Sequence, residues 1–120
     1  MKKAMCYSSL PKKLPVRAKL QLAKEAGLDG IEIPSFKTQK EVEQVAEVAG
    51  DVGLEIHSVM GGTHWQLPLS STDEATRLAG VNGIKHALQV AGWSGADTVL
   101  VVPGVVTATV SRPRTLPRLA

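Results

Sequence analysis

Cysteine is nearly absent: Cys6 stands alone in 120 residues, so an intramolecular disulfide is impossible and a reducing, cytoplasmic setting is expected. Long apolar runs are missing too. Nothing approaches the roughly 18 residues that span a bilayer, and Met1-Lys2-Lys3 leads into a strand-like segment with polar serines, where a signal peptide would carry its apolar region. No membrane partner is expected. Nor is there a balance of charge that speaks for nucleic acid. The formal charge is +3, from 14 basic and 11 acidic residues, with a pI near 9.2. Residues 107–120 hold Arg112, Arg114 and Arg118 and no acid, which leaves 11 basic and 11 acidic side chains in the rest. The body is neutral, so no nucleic-acid partner is expected. The phosphate loop G-x-x-x-x-G-K-[ST], the dinucleotide fingerprint G-x-G-x-x-G and the nucleophile elbow G-x-S-x-G are all absent.

What is present is a globular composition, 43% hydrophobic and 21% charged with a mean hydropathy of +0.03, which excludes a disordered chain and a two-domain enzyme. A pattern of helix, glycine-bearing turn and short β-branched run occurs three times, as AKEAGLDGIEIP, AEVAGDVGLEIH and QVAGWSGADTVLVVP. Val16, Leu20 and Ala23 share a helical face, as do Val42, Val45, Ala49 and Val52, and Val81, Ile84, Leu88 and Ala91. Pro15 suits a first helical turn, and Thr38 with Glu41 and Ser71 with Glu74 have the spacing of capping boxes. Gly27, Gly50 or Gly53, and Gly92 or Gly95 mark helix ends.

Strands are expected at Ala4–Ser8, Gly30–Pro34, Leu54–Met60 and Thr98–Pro103. Successive strand and helix units of this length imply a parallel sheet, either an open doubly wound one or part of a (β/α)8 barrel. Strand two reads Ile31, Glu32, Ile33 and strand three reads Leu54, Glu55, Ile56, His57, so one face of each is aliphatic and the other polar. An open α/β sheet is covered on both faces and its central strands are apolar throughout, whereas a barrel interior near a site accepts polar side chains. The alternation favours the barrel.

Ligands of such sheets bind beyond the carboxyl ends of the strands. Tyr7, Ser8 and Ser9 follow strand one, Pro34 and Ser35 strand two, and Pro103 and Gly104 strand four; after strand three comes the long loop HSVMGGTHWQLPLSS. Gly61 and Gly62 would let a ligand approach the backbone, His57 and His64 could move protons or bind a metal, and Trp65 could stack on a sugar. The competing reading is a loop that packs over the sheet end, with Trp65 as its plug. Glu32 is open between orienting a substrate hydroxyl and a structural buried carboxylate, and His57 between a proton-transfer or ligand role and a satisfied buried histidine. Glu55 is read as structural, His86 as a solvated residue on the polar side of its helix, and Cys6 as a small core residue. The strand ends offer too few carboxylates for a metal centre, so none is expected within this chain.

AKEAGLDGIEI, GLEIHSVMGGTHWQLPLSS, GVNGIKHALQVA and GADTVLVVPGVV together resemble the first half of the sugar-phosphate isomerase/epimerase proteins with a xylose-isomerase-like TIM barrel, over about residues 3–106. Within that family the look is that of the hexulose-6-phosphate isomerase and L-xylulose-5-phosphate 3-epimerase type. The resemblance implies an α/β fold made of about four β/α units, the N-terminal half of a (β/α)8 barrel. It also implies an enzyme that moves a proton between adjacent carbons of a sugar or sugar phosphate around a divalent Mn, Mg or Co ion. The family's metal ligands lie on strands five to eight. The positions carried over are therefore on the substrate side: Tyr7, Glu32, His57, Gly61, Gly62, His64 and Trp65. From Thr107 the resemblance stops, and TATVSRPRTLPRLA reads as a basic, non-native or disordered tail on a truncated barrel. Such a half barrel is expected to show little isomerase activity and to cover its open sheet edges by forming a homodimer. Two rival functions are an apurinic-site endonuclease relative, disfavoured by the neutral body, and a non-catalytic module that binds a small anion or a partner chain.

Overall fold

In the computed structural model, residues 1–108 are described; the expected basic tail, 107–120, therefore lies outside the described residues from position 109 onward. Strand β1 (Ala4–Cys6) runs into a 3-10 turn at Tyr7–Ser9 and then helix α1 (Val16–Glu25). The chain continues as β2 (Gly30–Pro34), α2 (Gln39–Val52), β3 (Glu55–Met60), α3 (Glu74–Ser94) and β4 (Thr98–Leu100). All pairs are parallel, and the sheet order is β1-β2-β3-β4. A doubly wound sheet reverses its strand order at a switch point; a consecutive order with right-handed crossovers places every helix on one face. The described residues thus form four parallel strands with three intervening α-helices, in the order of half a (β/α)8 barrel.

The core lies between the sheet and that helix layer. Ile31, Ile33, Ile56 and Val59 point from the strands onto Leu20 and Ala23 of α1, Val42, Val45 and Ala49 of α2, and Ala87, Val90 and Ala91 of α3, all buried. Helix α2 starts with the expected reciprocal cap, Thr38 accepting from Glu41 N–H while the Glu41 carboxylate accepts from Thr38 N–H at 3.1 Å. Its end, and that of α3, fall at Gly53 (φ 79°) and Gly95 (φ 77°), where a left-handed conformation favours glycine.

Several boundaries differ from the sequence reading. Strand β1 ends at Cys6 because the chain turns at Tyr7, and β4 ends at Leu100. The cap of α3 is Asp73, whose carboxylate accepts from Thr76 N–H at 2.9 Å, while the Ser71 hydroxyl accepts from Asp73 N–H; Ser71 and Glu74 form no capping box. The buried stripe of α3 is Gly80, Ala87, Val90 and Ala91, and Leu88 is exposed. Helix α3 lies against α2, β3 and β4 at once, so its inward face is set by three neighbours and not by its most apolar row.

Candidate functional site

The sheet face away from the helices is the side that would be interior in a closed barrel. Parallel register aligns Cys6, Glu32, Ser58 and Thr98 in one row across it. Glu32 accepts hydrogen bonds from the Ser58 hydroxyl at 2.8 Å and from the Cys6 thiol at 3.4 Å. Cys6 is accordingly not a core residue. Its partial burial, and then the hydrogen bond to Glu32 and the negative charge beside it, push the thiol pKa up, so Cys6 stays a protonated donor.

His57 does not lie at the carboxyl end of its strand. Pairing steps from Ile31 with Ile56 directly to Glu32 with Ser58, so His57 is the extra residue of a β-bulge, and β3 runs on to Met60. Its ring lines a cleft of about 240 Å3 at the amino end of the sheet, with Lys2, Lys3, Asp29, Gly30 and Glu55. A bulge shifts alternation by one residue without leaving a composition signal. Glu55, read as mid-strand, is the first residue of β3, exposed and 3.5 Å from the Lys2 ammonium.

The other candidates gather at the carboxyl end. Tyr7 is buried, edge-on to Phe36 (5.6 Å between centroids), with the Lys19 ammonium 4.9 Å from its ring centre. Burial pushes its hydroxyl pKa up. Gly61 is buried and donates its N–H to the Leu100 carbonyl at 3.0 Å; a Cβ there would sit 2.9 Å from that oxygen. Gly61 therefore serves the close approach of β4. Gly62 is open, with its N–H 3.5 Å from the Ser35 hydroxyl, which itself donates to the Met60 carbonyl at 3.0 Å. His64 is 3% exposed and meets Trp65 edge-on at 5.0 Å, whereas Trp65 is 62% exposed. Trp65 is therefore not the plug of the loop: His64 is packed beneath it and Trp65 stands exposed above it.

His86 is a residue that sequence reasoning misplaced. It is partly buried, its Nε2 lies 2.7 Å from the Phe36 carbonyl, and its ring meets Trp93 edge-on at 6.1 Å. It ties α3 to the loop after β2. The bracket between Ser70 and Val105, with Val105 N–H donating to the Ser70 hydroxyl at 3.0 Å, also went unread, since nothing local links residues so far apart.

Burial lowers the His64 pKa, which gives a measurable pH dependence. The unfolded chain, with a histidine near the ordinary value of about 6.5, then binds the proton more readily than the folded one. The His64 contribution to stability is present above about pH 6.5 and is lost as pH falls through the lower folded value. The urea midpoint should fall between about pH 7 and 5, and His64→Gln should flatten that slope. Asp73 shifts downward through its hydrogen bonds to Thr76 and acts only below the carboxylate range, outside this window.

Among the described residues no three His, Cys, Asp or Glu side chains are grouped to hold a metal ion. Glu32 is engaged by two donors, His64 is packed against Trp65, and His57, although it lines a cleft with Cys6 and Glu32, forms no metal-holding group with them. This donor set does not fit the divalent ion that the resemblance implies. No helix among the described residues is long and apolar enough to cross a membrane.

No curated protein matches the sequence. Solved structures do match the fold. The chain superposes on 3-keto-D-glucoside 4-epimerase from E. coli in its apo form, with a TM-score of 0.73 at 20% identity, covering 99% of this chain and 48% of that one. It superposes similarly on a D-psicose 3-epimerase crystallised in the presence of D-fructose, with a TM-score of 0.75 at 20% identity, covering 99% and 45%. The chain thus spans about half the length of the solved structures it resembles. The family model described as xylose isomerase-like TIM barrel matches residues 20–120, and with four consecutive parallel strands in place the chain belongs to that family.

Proposed function

We propose that this chain supplies the substrate-facing wall of a carbohydrate isomerase or epimerase. The observation that carries the reading is Trp65, an exposed indole held at the carboxyl end of β3 above a buried His64. An indole face complements the C–H face of a sugar, and the open backbone at Gly62 in the same loop leaves room for a ligand's approach. The neighbouring folds are those of a 3-keto-glucoside epimerase and a D-psicose epimerase, so ketose-type sugars, free or phosphorylated, are the proposed ligand class. The reaction would be proton transfer between adjacent carbons, and its divalent ion would be held by residues on strands beyond β4. A second copy of this chain is the proposed partner at the open edges of β1 and β4.

Adding D-fructose, D-psicose or fructose 6-phosphate to the purified chain should quench or shift Trp65 emission. The response should vanish in Trp65→Ala, with Trp93 left as the internal reference. A wild-type emission that ignores all three sugars at tens of millimolar would overturn the reading, and a response to inorganic phosphate alone would favour the small-anion module.

A further inference from the structure

Two glycines lie one turn apart in α3, at Gly80 and Gly83, well inside a continuous 21-residue helix. Glycine is the poorest helix former after proline, and at i, i+3 the two share a face. Neither needs a left-handed backbone, since the positive-φ glycines are Gly27, Gly53 and Gly95. Space is the reason. A Cβ built at Gly83 would collide with the Thr63 hydroxyl and stand 2.9 Å from Thr63 Cβ and Cγ2. One built at Gly80 would fall onto the Leu67 carbonyl oxygen, with Leu67 C at 3.3 Å and Leu69 Cδ2 at 3.4 Å. By contrast, Gly50 and Gly92, also helical, have nothing within 4 Å of such a Cβ.

The two residues received by these glycines bracket Trp65. Leu67 N–H donates to the Thr63 carbonyl at 2.8 Å, closing one turn with His64 and Trp65 inside it. The loop is also tied at its start, by Gly61 N–H to Leu100, and near its end, by the Ser70 hydroxyl to both the N–H and the carbonyl of Val105. We infer that Gly80 and Gly83 are positioning residues: they seat the 63–67 turn on α3 so that Trp65 is held in one orientation before any ligand arrives. The inference rests on the proposed carbohydrate role of Trp65. A preformed aromatic platform avoids the ordering cost that a mobile loop would incur on binding.

The test uses the 120-residue chain in a Trp93→Phe background, so that emission reports Trp65 alone. Gly83→Ala should shift Trp65 emission, raise its acrylamide quenching and weaken the ketose response about tenfold, the size of a modest loss of binding energy. Gly92→Ala should change none of these. Adding Thr63→Gly to Gly83→Ala should restore the Trp65 signal, because the colliding side chain is gone; a general loss of helix stability would not be repaired that way. Should Gly83→Ala fail to fold, recovery of the fold in the double variant supports the seat and continued failure overturns it. Trp65 emission in Gly83→Ala that equals Gly92→Ala also overturns it. If the emission changes but no variant, wild type included, responds to ketoses, the seat stands and the carbohydrate reading falls.

Discussion

In solution the chain is expected to run as two copies, and Met5→Lys combined with Leu100→Lys is expected to return it to one. Strands β1 and β4 are the two edges of the sheet, and among the described residues no strand pairs with their outer sides. An edge of unpaired N–H and C=O groups is a template for another strand, and soluble proteins blunt such edges with charge. Neither three-residue strand, Ala-Met-Cys or Thr-Val-Leu, carries any. Met5 sits in the row of Ile31, which is fully covered by helices, yet is itself 40% exposed; Leu100 is 41% exposed. The helix layer repeats this at its own flanks, with Leu22 of α1 and Leu78 and Leu88 of α3 exposed. Two copies about a twofold axis would place β4 of each against β1 of the other and close eight strands with no edge left. The neighbouring barrels are about twice this chain in length, as that closure requires. The two lysines brought to each new seam should together cost at least about 2–4 kcal/mol, the range of a central interface residue, and so weaken association by at least about 30- to 1,000-fold. Light scattering decides: a wild type of one chain's mass across the micromolar range, or a charged variant that stays double, would sink the proposal. A monomer that instead captures a separately made chain carrying four further units would assign the edges to that segment.

The sheet and its helices were legible because their signals are local and repeated. The Thr38–Glu41 cap depends on residues three apart, and the aliphatic rows of α1 and α2 face a single neighbour layer each. The alternation of Ile31, Glu32 and Ile33 was enough to favour a barrel, and the strand order agrees. What was not legible depends on contacts between distant segments. The bulge at His57 has no spelling in sequence, and His86 looked solvated because the Phe36 carbonyl comes from fifty residues away. Glycine was the most ambiguous letter of all. It ends helices at Gly53 and Gly95, admits the Leu100 carbonyl at Gly61 and receives a loop at Gly80 and Gly83, and only the surroundings tell these uses apart. In the candidate site, Trp65 and His64 were found by residue type, while the turn that orients them had to be seen.

Sugar binding without turnover is the expected behaviour of this chain with Mn, Mg or Co supplied, and the two halves of that statement rest on different residues. On the proposed reading, binding would draw on Trp65 and the open backbone at Gly62, neither of which depends on an ion. Turnover needs a base to remove a proton from one carbon and an acid to return it to the next, each positioned group contributing about 10^2- to 10^4-fold. Glu32 is the carboxylate on the inner face, and the Ser58 hydroxyl and the Cys6 thiol donate to its two oxygens, so both are already engaged. His64 is kept neutral by burial and packs against Trp65. A hard cation wants about six oxygen-rich ligands, and among the described residues not even three side chains that could hold one are grouped. If the described residues hold neither a working acid–base pair nor a donor set for an ion, the rate should fall at least about 10^4-fold below the typical enzyme value of about 10 s−1. The decisive assay follows interconversion of ketose epimers and of aldose with ketose on the same samples in which Trp65 emission is titrated. A sugar-dependent Trp65 signal that is insensitive to added metal, beside product formation at background, is the expected pair; robust metal-dependent turnover by the purified chain would show that its 120 residues already hold a complete centre.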